Sequence, residues 1–72
     1  MSTTIEVNDH YKAPPGKFRV MGYDDFSHED YYIQDYNTKE EAIRRANDQS
    51  MRSMQRGYVH DDTGKIVYPE KR

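Results

Sequence analysis

The chain has 72 residues, a net charge of −2 and no cysteine, which bounds it to one small domain with neither disulfides nor a thiol site. It contains no Leu and no Trp but seven Tyr, so the core must come from Ile, Val, Met, Phe, Ala and Tyr. No apolar run reaches membrane-spanning length, and MSTTIEVNDH lacks the basic-then-apolar layout of a signal peptide, so the expectation is a cytoplasmic protein away from the membrane.

Small domains without staples often gain stability by self-association, and a homodimer is one expected state. The charge is uneven: residues 1–36 carry three Lys/Arg against seven Asp/Glu, and residues 37–72 eight against six. Ordinary surface charge accounts for this; weak steering toward a partner of mixed charge is the sharper reading.

Residues 1–16 have no sustained periodicity, and Ala13-Pro14-Pro15-Gly16 interrupts any ladder or helix. They read as a flexible arm joined by a turn to a domain over residues 17–69. Thr4-Ile5-Glu6-Val7 alternates like an edge strand that could pair on a partner, but a disordered tail is the better reading of it. Residues 17–23 (KFRVMGY) alternate with period two, setting Phe18, Val20 and Gly22 on one face and Arg19, Met21 and Tyr23 on the other. A polar connection over residues 24–30 leads to a second strand, residues 31–36 (YYIQDY), with Ile33 inward and Tyr32, Gln34 and Tyr36 outward.

Residues 38–56 (TKEEAIRRANDQSMRSMQR) read as the helix. Thr38 and Glu41 form a capping box, and Gly57 is placed to stop the helix in a left-handed conformation. Ala42, Ile43, Ala46, Ser50, Ser53 and Met54 share one side at about 100° per residue. Glu40–Arg44, Glu41–Arg45 and Asp48–Arg52 are spaced as acid-first pairs on the exposed side. Tyr58-Val59-His60 and Lys65-Ile66-Val67-Tyr68 flank Asp61-Asp62-Thr63-Gly64, a type I turn closed by a left-handed glycine. Pro69 ends the last strand, and residues 70–72 form a short polar tail. The expected fold is α+β in the order ββαββ: an antiparallel sheet of two hairpins with one helix on one face, its strand order undecided.

No motif brings chemistry with it. His28 lies among Asp24, Asp25, Glu29 and Asp30, but the spacing fits neither a calcium loop nor a zinc signature. Asp62-Thr63-Gly64-Lys65 lacks the glycines and following helix of a phosphate loop. Ser27 beside His28 has no orienting third group, and no carboxylate sits in an apolar stretch that would raise its pKa. So short a chain also has little room for a pocket of ordinary ligand-binding volume. The expectation is a non-enzymatic protein without cofactor, metal or catalytic residue.

The tyrosines carry the functional expectation. With the helix on one sheet face, alternation assigns Arg19, Met21, Tyr23, Tyr32, Tyr36, Tyr58 and His60 to the other. Four tyrosines there form an amphipathic surface suited to protein contact, or simply pack across the strands. A protein-interaction module is therefore expected, its partner another protein or a second copy, through this face or an edge strand. Base stacking on single-stranded nucleic acid is the second reading. The acidic first half and the pre-paired helix arginines speak against it, because a phosphate backbone needs positive potential along its path.

Tyr36–Ala46 (YNTKEEAIRRA) and Val59–Tyr68 (VHDDTGKIVY) resemble a group of small bacterial ββαββ proteins of uncharacterised function. These share a "TKEEAI" helix start and a closing "D–x–x–G–x–I" hairpin. The resemblance covers about two-thirds of the chain. It implies the same fold and no catalytic residue; the tyrosine-rich second strand and the Pro-Pro-Gly arm depart from it.

Overall fold

Two central strands organise the molecule, and both are spelled by alternating sequence. A computed structural model describes residues 11–69. It contains β1 (Phe18–Asp24), β2 (Glu29–Tyr36), α1 (Lys39–Ser50), β3 (Gln55–His60) and β4 (Ile66–Tyr68). The strands form one sheet in the order β2-β1-β3-β4, every neighbour antiparallel. The expected ββαββ class is therefore the fold observed. α1 carries the chain from one side of β1 to the other, so β2 and β3 flank the first strand.

The helix begins where its cap predicts. Thr38 holds an extended conformation, and its Oγ1 accepts from the Glu41 N–H at 3.2 Å, satisfying one of the donors that a helix start leaves without a partner. Ala42 and Ala46 are fully buried and meet Val20 and Val59 of the sheet. Phe18, Ile33, Tyr36, Ile43, Val67 and Tyr68 pack around that small centre.

The helix ends earlier than its periodicity suggests. The N–H groups of Met51 and Arg52 turn back to the carbonyls of Asp48 and Gln49, and Met54, at φ 63°, takes the left-handed position expected of a glycine. Met54 is half exposed and Ser53 exposed, so neither anchors the helix; Gln49 is buried in their place. Its Nε2 donates to the Tyr31 hydroxyl at 2.7 Å, and its Oε1 accepts from Arg45 at 3.0 Å. The Tyr31 hydroxyl donates onward to Gln55 Oε1, and this network satisfies the buried amide.

Gly57, the expected helix stop, lies instead within β3 directly beneath α1. A Cβ at this position would reach the Ala46 carbonyl and come within 2.8 Å of the Ala46 Cα. Glycine is used here so that the helix backbone can rest on the strand. The Gly57 N–H donates to Ser50 Oγ at 2.8 Å, closing the contact.

The turn over residues 61–64 is as expected. Asp61 Oδ1 accepts from the N–H groups of Thr63 and Lys65 at 2.9 and 3.0 Å, and Gly64 has φ 88°. On the helix surface Asp48 meets Arg45 at 3.7 Å and Arg52 at 3.9 Å. Among the described residues Glu40–Arg44 and Glu41–Arg45 do not close into ion pairs.

Tyr36 is not on the face opposite the helix. The register between β1 and β2 shifts between Val20 and Met21: Val20 faces Gln34, whereas Met21 faces Tyr32. Ile33 is the extra residue of a bulge, which reverses the alternation of the strand beyond it. Tyr36 consequently pairs with Phe18 and joins the helix-side core, Gln34 falls on that same face opposite Val20, and Asp35 swings to the other side against Arg19.

Candidate functional site

The face opposite the helix is laid out in cross-strand rows. Arg19, Met21 and Tyr23 of β1 stand opposite His60, Tyr58 and Arg56 of β3, and opposite Asp35, Tyr32 and Asp30 of β2. β4 adds Ile66 beside His60. Six of the seven expected face residues are thus brought together, and Tyr36 is not.

Arg19 makes a two-point contact with Asp35, Nε to Oδ1 at 2.8 Å and Nη2 to Oδ2 at 3.0 Å. Its guanidinium carbon lies 4.9 Å from the centre of the Tyr32 ring, a cation–π arrangement. The hydrogen bonds to Asp35 raise its already high pKa. Arg56 pairs with Asp25 at 3.1 Å. Arg19 and Arg56 therefore already have carboxylate partners.

The segment before β1 crosses the face. Ala13 is buried and its N–H donates to the Asp61 carbonyl at 3.1 Å; the Gly16 N–H donates to Asp62 Oδ2 at 2.9 Å. Tyr11 stacks on His60, and its hydroxyl donates to Asp30. From residue 11 onward the expected arm is thus seated on the sheet; residues 1–10, with the alternating run Thr4–Val7, lie outside the described residues.

His60 is 7% exposed, and its Nδ1 has no hydrogen-bond partner among the described residues. Burial pushes the imidazole pKa down, and Arg19 adds to this. Asp61 and Asp30 oppose it. The ring is consequently held toward its neutral form.

Between these groups lies a cleft of 360 Å³, within the range of small-ligand and side-chain sites and larger than the chain length suggests. Buried Met21 and His60 line it together with Tyr11, Tyr23, Tyr58 and Ile66, and Asp30 contributes a carboxylate. Sequence reading omits Tyr11, Asp30, Asp35 and Ile66. Pairing out from the 61–64 turn sets Ile66 against His60, and the first hairpin sets Asp30 against Tyr23, so both left a signal. Tyr11 left none, because a Pro-Pro-Gly turn does not reveal which way the preceding chain runs.

The acidic loop around His28 serves the turn itself. Asp24 Oδ1 accepts from the Phe26 N–H at 2.8 Å, which lowers the Asp24 pKa, and His28 Nδ1 lies 3.3 Å from the Tyr23 hydroxyl. Among the described residues no three His, Asp or Glu side chains gather as a metal site requires. Nor is any helix among them long and apolar enough to cross a membrane. No family model, curated protein or solved structure matches the chain.

Proposed function

We propose that this is a cytoplasmic, non-enzymatic protein-interaction module that receives an apolar or aromatic anchor of a partner polypeptide in the cleft on its tyrosine face. The observation that carries this reading is a 360 Å³ cleft lined by Tyr11, Tyr23, Tyr58, Met21 and Ile66 on the sheet face opposite the helix. Rigid amphipathic rings around a pocket are the usual make-up of interface anchoring sites.

The β2 edge is a weaker candidate for the contact. Its bulge at Ile33 interrupts the straight ladder that strand addition needs. Two copies paired there would also bring Glu29, Asp30 and Asp35 of each into one short strand pair. A second copy docked face to face remains a form of the proposal. Nucleic acid is disfavoured because Arg19 and Arg56 are paired with Asp35 and Asp25.

The test is selection of binders from a random peptide library against the whole protein, mapped by amide and side-chain NMR shifts. Selected peptides should share an apolar anchor, shift Tyr23, Tyr58 and Ile66, and lose binding to Ile66→Asp. Shifts confined to the helix or the β2 edge would refute the site. Tighter, salt-sensitive binding of single-stranded oligonucleotides would refute the class.

A further inference from the structure

The cleft has an electrostatic character that its shape does not convey. Three of its lining side chains are tyrosines, brought from the segment before β1 (Tyr11), from β1 (Tyr23) and from β3 (Tyr58). Among the described residues the one formally charged group in the lining is the Asp30 carboxylate. Tyr11 donates to one Asp30 oxygen, which leaves acceptor capacity on the carboxylate.

Among the described residues no Lys or Arg lines the cleft, and Arg19 and Arg56 of the same face are held by Asp35 and Asp25. Burial keeps the adjoining His60 toward its neutral form, so the imidazole does not cancel the negative field. Among the described residues its Nδ1, within a residue more than nine-tenths buried, has no hydrogen-bond partner.

Aromatic quadrupoles, one carboxylate and apolar surroundings favour a cation and disfavour phosphate or carboxylate. They favour most a cation whose charge is spread over methyl groups, because a bare ammonium is strongly hydrated and costly to bring into such a site. From this the geometry points to a methylated ammonium, carried on a lysine side chain of the partner polypeptide, as the group that enters the cleft. The inference rests on the interaction-module reading and narrows its anchor to one whose apolar methyl groups carry a positive charge. At 360 Å³ the cleft has room for such a head group together with part of the side chain that carries it.

The test titrates the labelled full chain with choline, with its uncharged carbon isostere 3,3-dimethylbutan-1-ol, and with a short peptide bearing trimethyllysine or unmodified lysine. Choline and the trimethyllysine peptide should shift Tyr23, Tyr58 and Ile66, and choline should displace the peptide. The methylated peptide should bind about tenfold more tightly than the unmodified one. Tyr58→Leu should abolish and Asp30→Asn weaken binding in variants whose thermal melts match the parent. If a variant does not fold, displacement by choline on the parent chain decides.

Equal binding of the uncharged isostere would overturn the cation inference. Binding of choline without the methylated peptide would overturn the polypeptide source in favour of a free small molecule. If library-selected peptides occupy the cleft while every ammonium probe fails, this inference falls and the interaction-module reading stands. If neither binds, both fall.

Discussion

Tyr11 lies stacked on the His60 imidazole, the ring centroids 5.3 Å apart and the planes 30° from parallel. The contact joins the segment before β1 to the third strand and helps bury a histidine on the face opposite α1. Its titration should therefore be visible in folding stability.

Burial lowers the folded pKa of His60 below the unfolded value of about 6.5. Within that window the unfolded chain takes up a proton that the folded chain refuses, so stability falls as pH drops from about 6.5 through the folded pKa. Tyr11, Tyr58, Asp30, Asp61 and Arg19 are the titratable or charged neighbours. Asp61, held low by Thr63, loses its own contribution only when the pH falls through the carboxylate range. Urea midpoints measured from pH 7.5 to 5 should decline for the parent chain and stay nearly level for His60→Phe. An equal decline in both would assign the effect elsewhere.

Gly57→Ala should be among the most damaging single changes. The added methyl meets the backbone of Ala46 rather than a side chain able to rotate away. The expected loss is about 3 kcal/mol, a large share of what so small a domain has. Chemical denaturation followed by circular dichroism checks it; a loss under about 1 kcal/mol would show that helix and strand separate easily.

Met54→Gly should act in the opposite direction. A non-glycine residue at φ 63° carries a left-handed penalty of about 1 kcal/mol, and the Met54 side chain buries little in return. After the added unfolded-state entropy of glycine, a gain of about 0.5 kcal/mol is expected in a thermal or urea melt. A measured loss would mean that the exposed thioether contributes packing.

Tyr32 and Tyr36 should separate cleanly under mutation. Tyr36→Ser removes a ring from the helix-side core and should cost about 2 kcal/mol. Tyr32→Ser, at a half-exposed position, should cost less than about 1 kcal/mol. Comparable losses in the two variants would place both rings on one face and contradict the bulge at Ile33.

The buried amide offers a further test. Gln49→Leu and Tyr31→Phe, alone and combined, form a double-mutant cycle across the helix–sheet boundary. A coupling of about 1 kcal/mol is expected from a shared hydrogen-bond network. Strict additivity of the unfolding free energies would show that the two groups act independently.

These residues also mark where sequence reading succeeds and where it stops. Local signals were sufficient for the Thr38 cap, the alternation of Phe18–Asp24 and the Asp61–Gly64 turn, since each is decided by its own few residues. Gly57 misled because a glycine after a periodic run reads as a stop, while its use here depends on Ala46 arriving from above. The bulge at Ile33 leaves no local mark, being a matter of register between strands, and it alone moved Tyr36 across the sheet. For the same reason Arg19, Met21, Tyr23, Tyr58 and His60 could be grouped from alternation, whereas Tyr11 could not.

Where α1 rests on β3, main chain lies against main chain at Ala46 and Gly57, so the spacing of the two layers there is fixed by atoms common to all residues. The tyrosine side bears no such architectural duty. Away from buried Met21 and His60, substitutions there can retune what the protein holds while the scaffold underneath stays as it is.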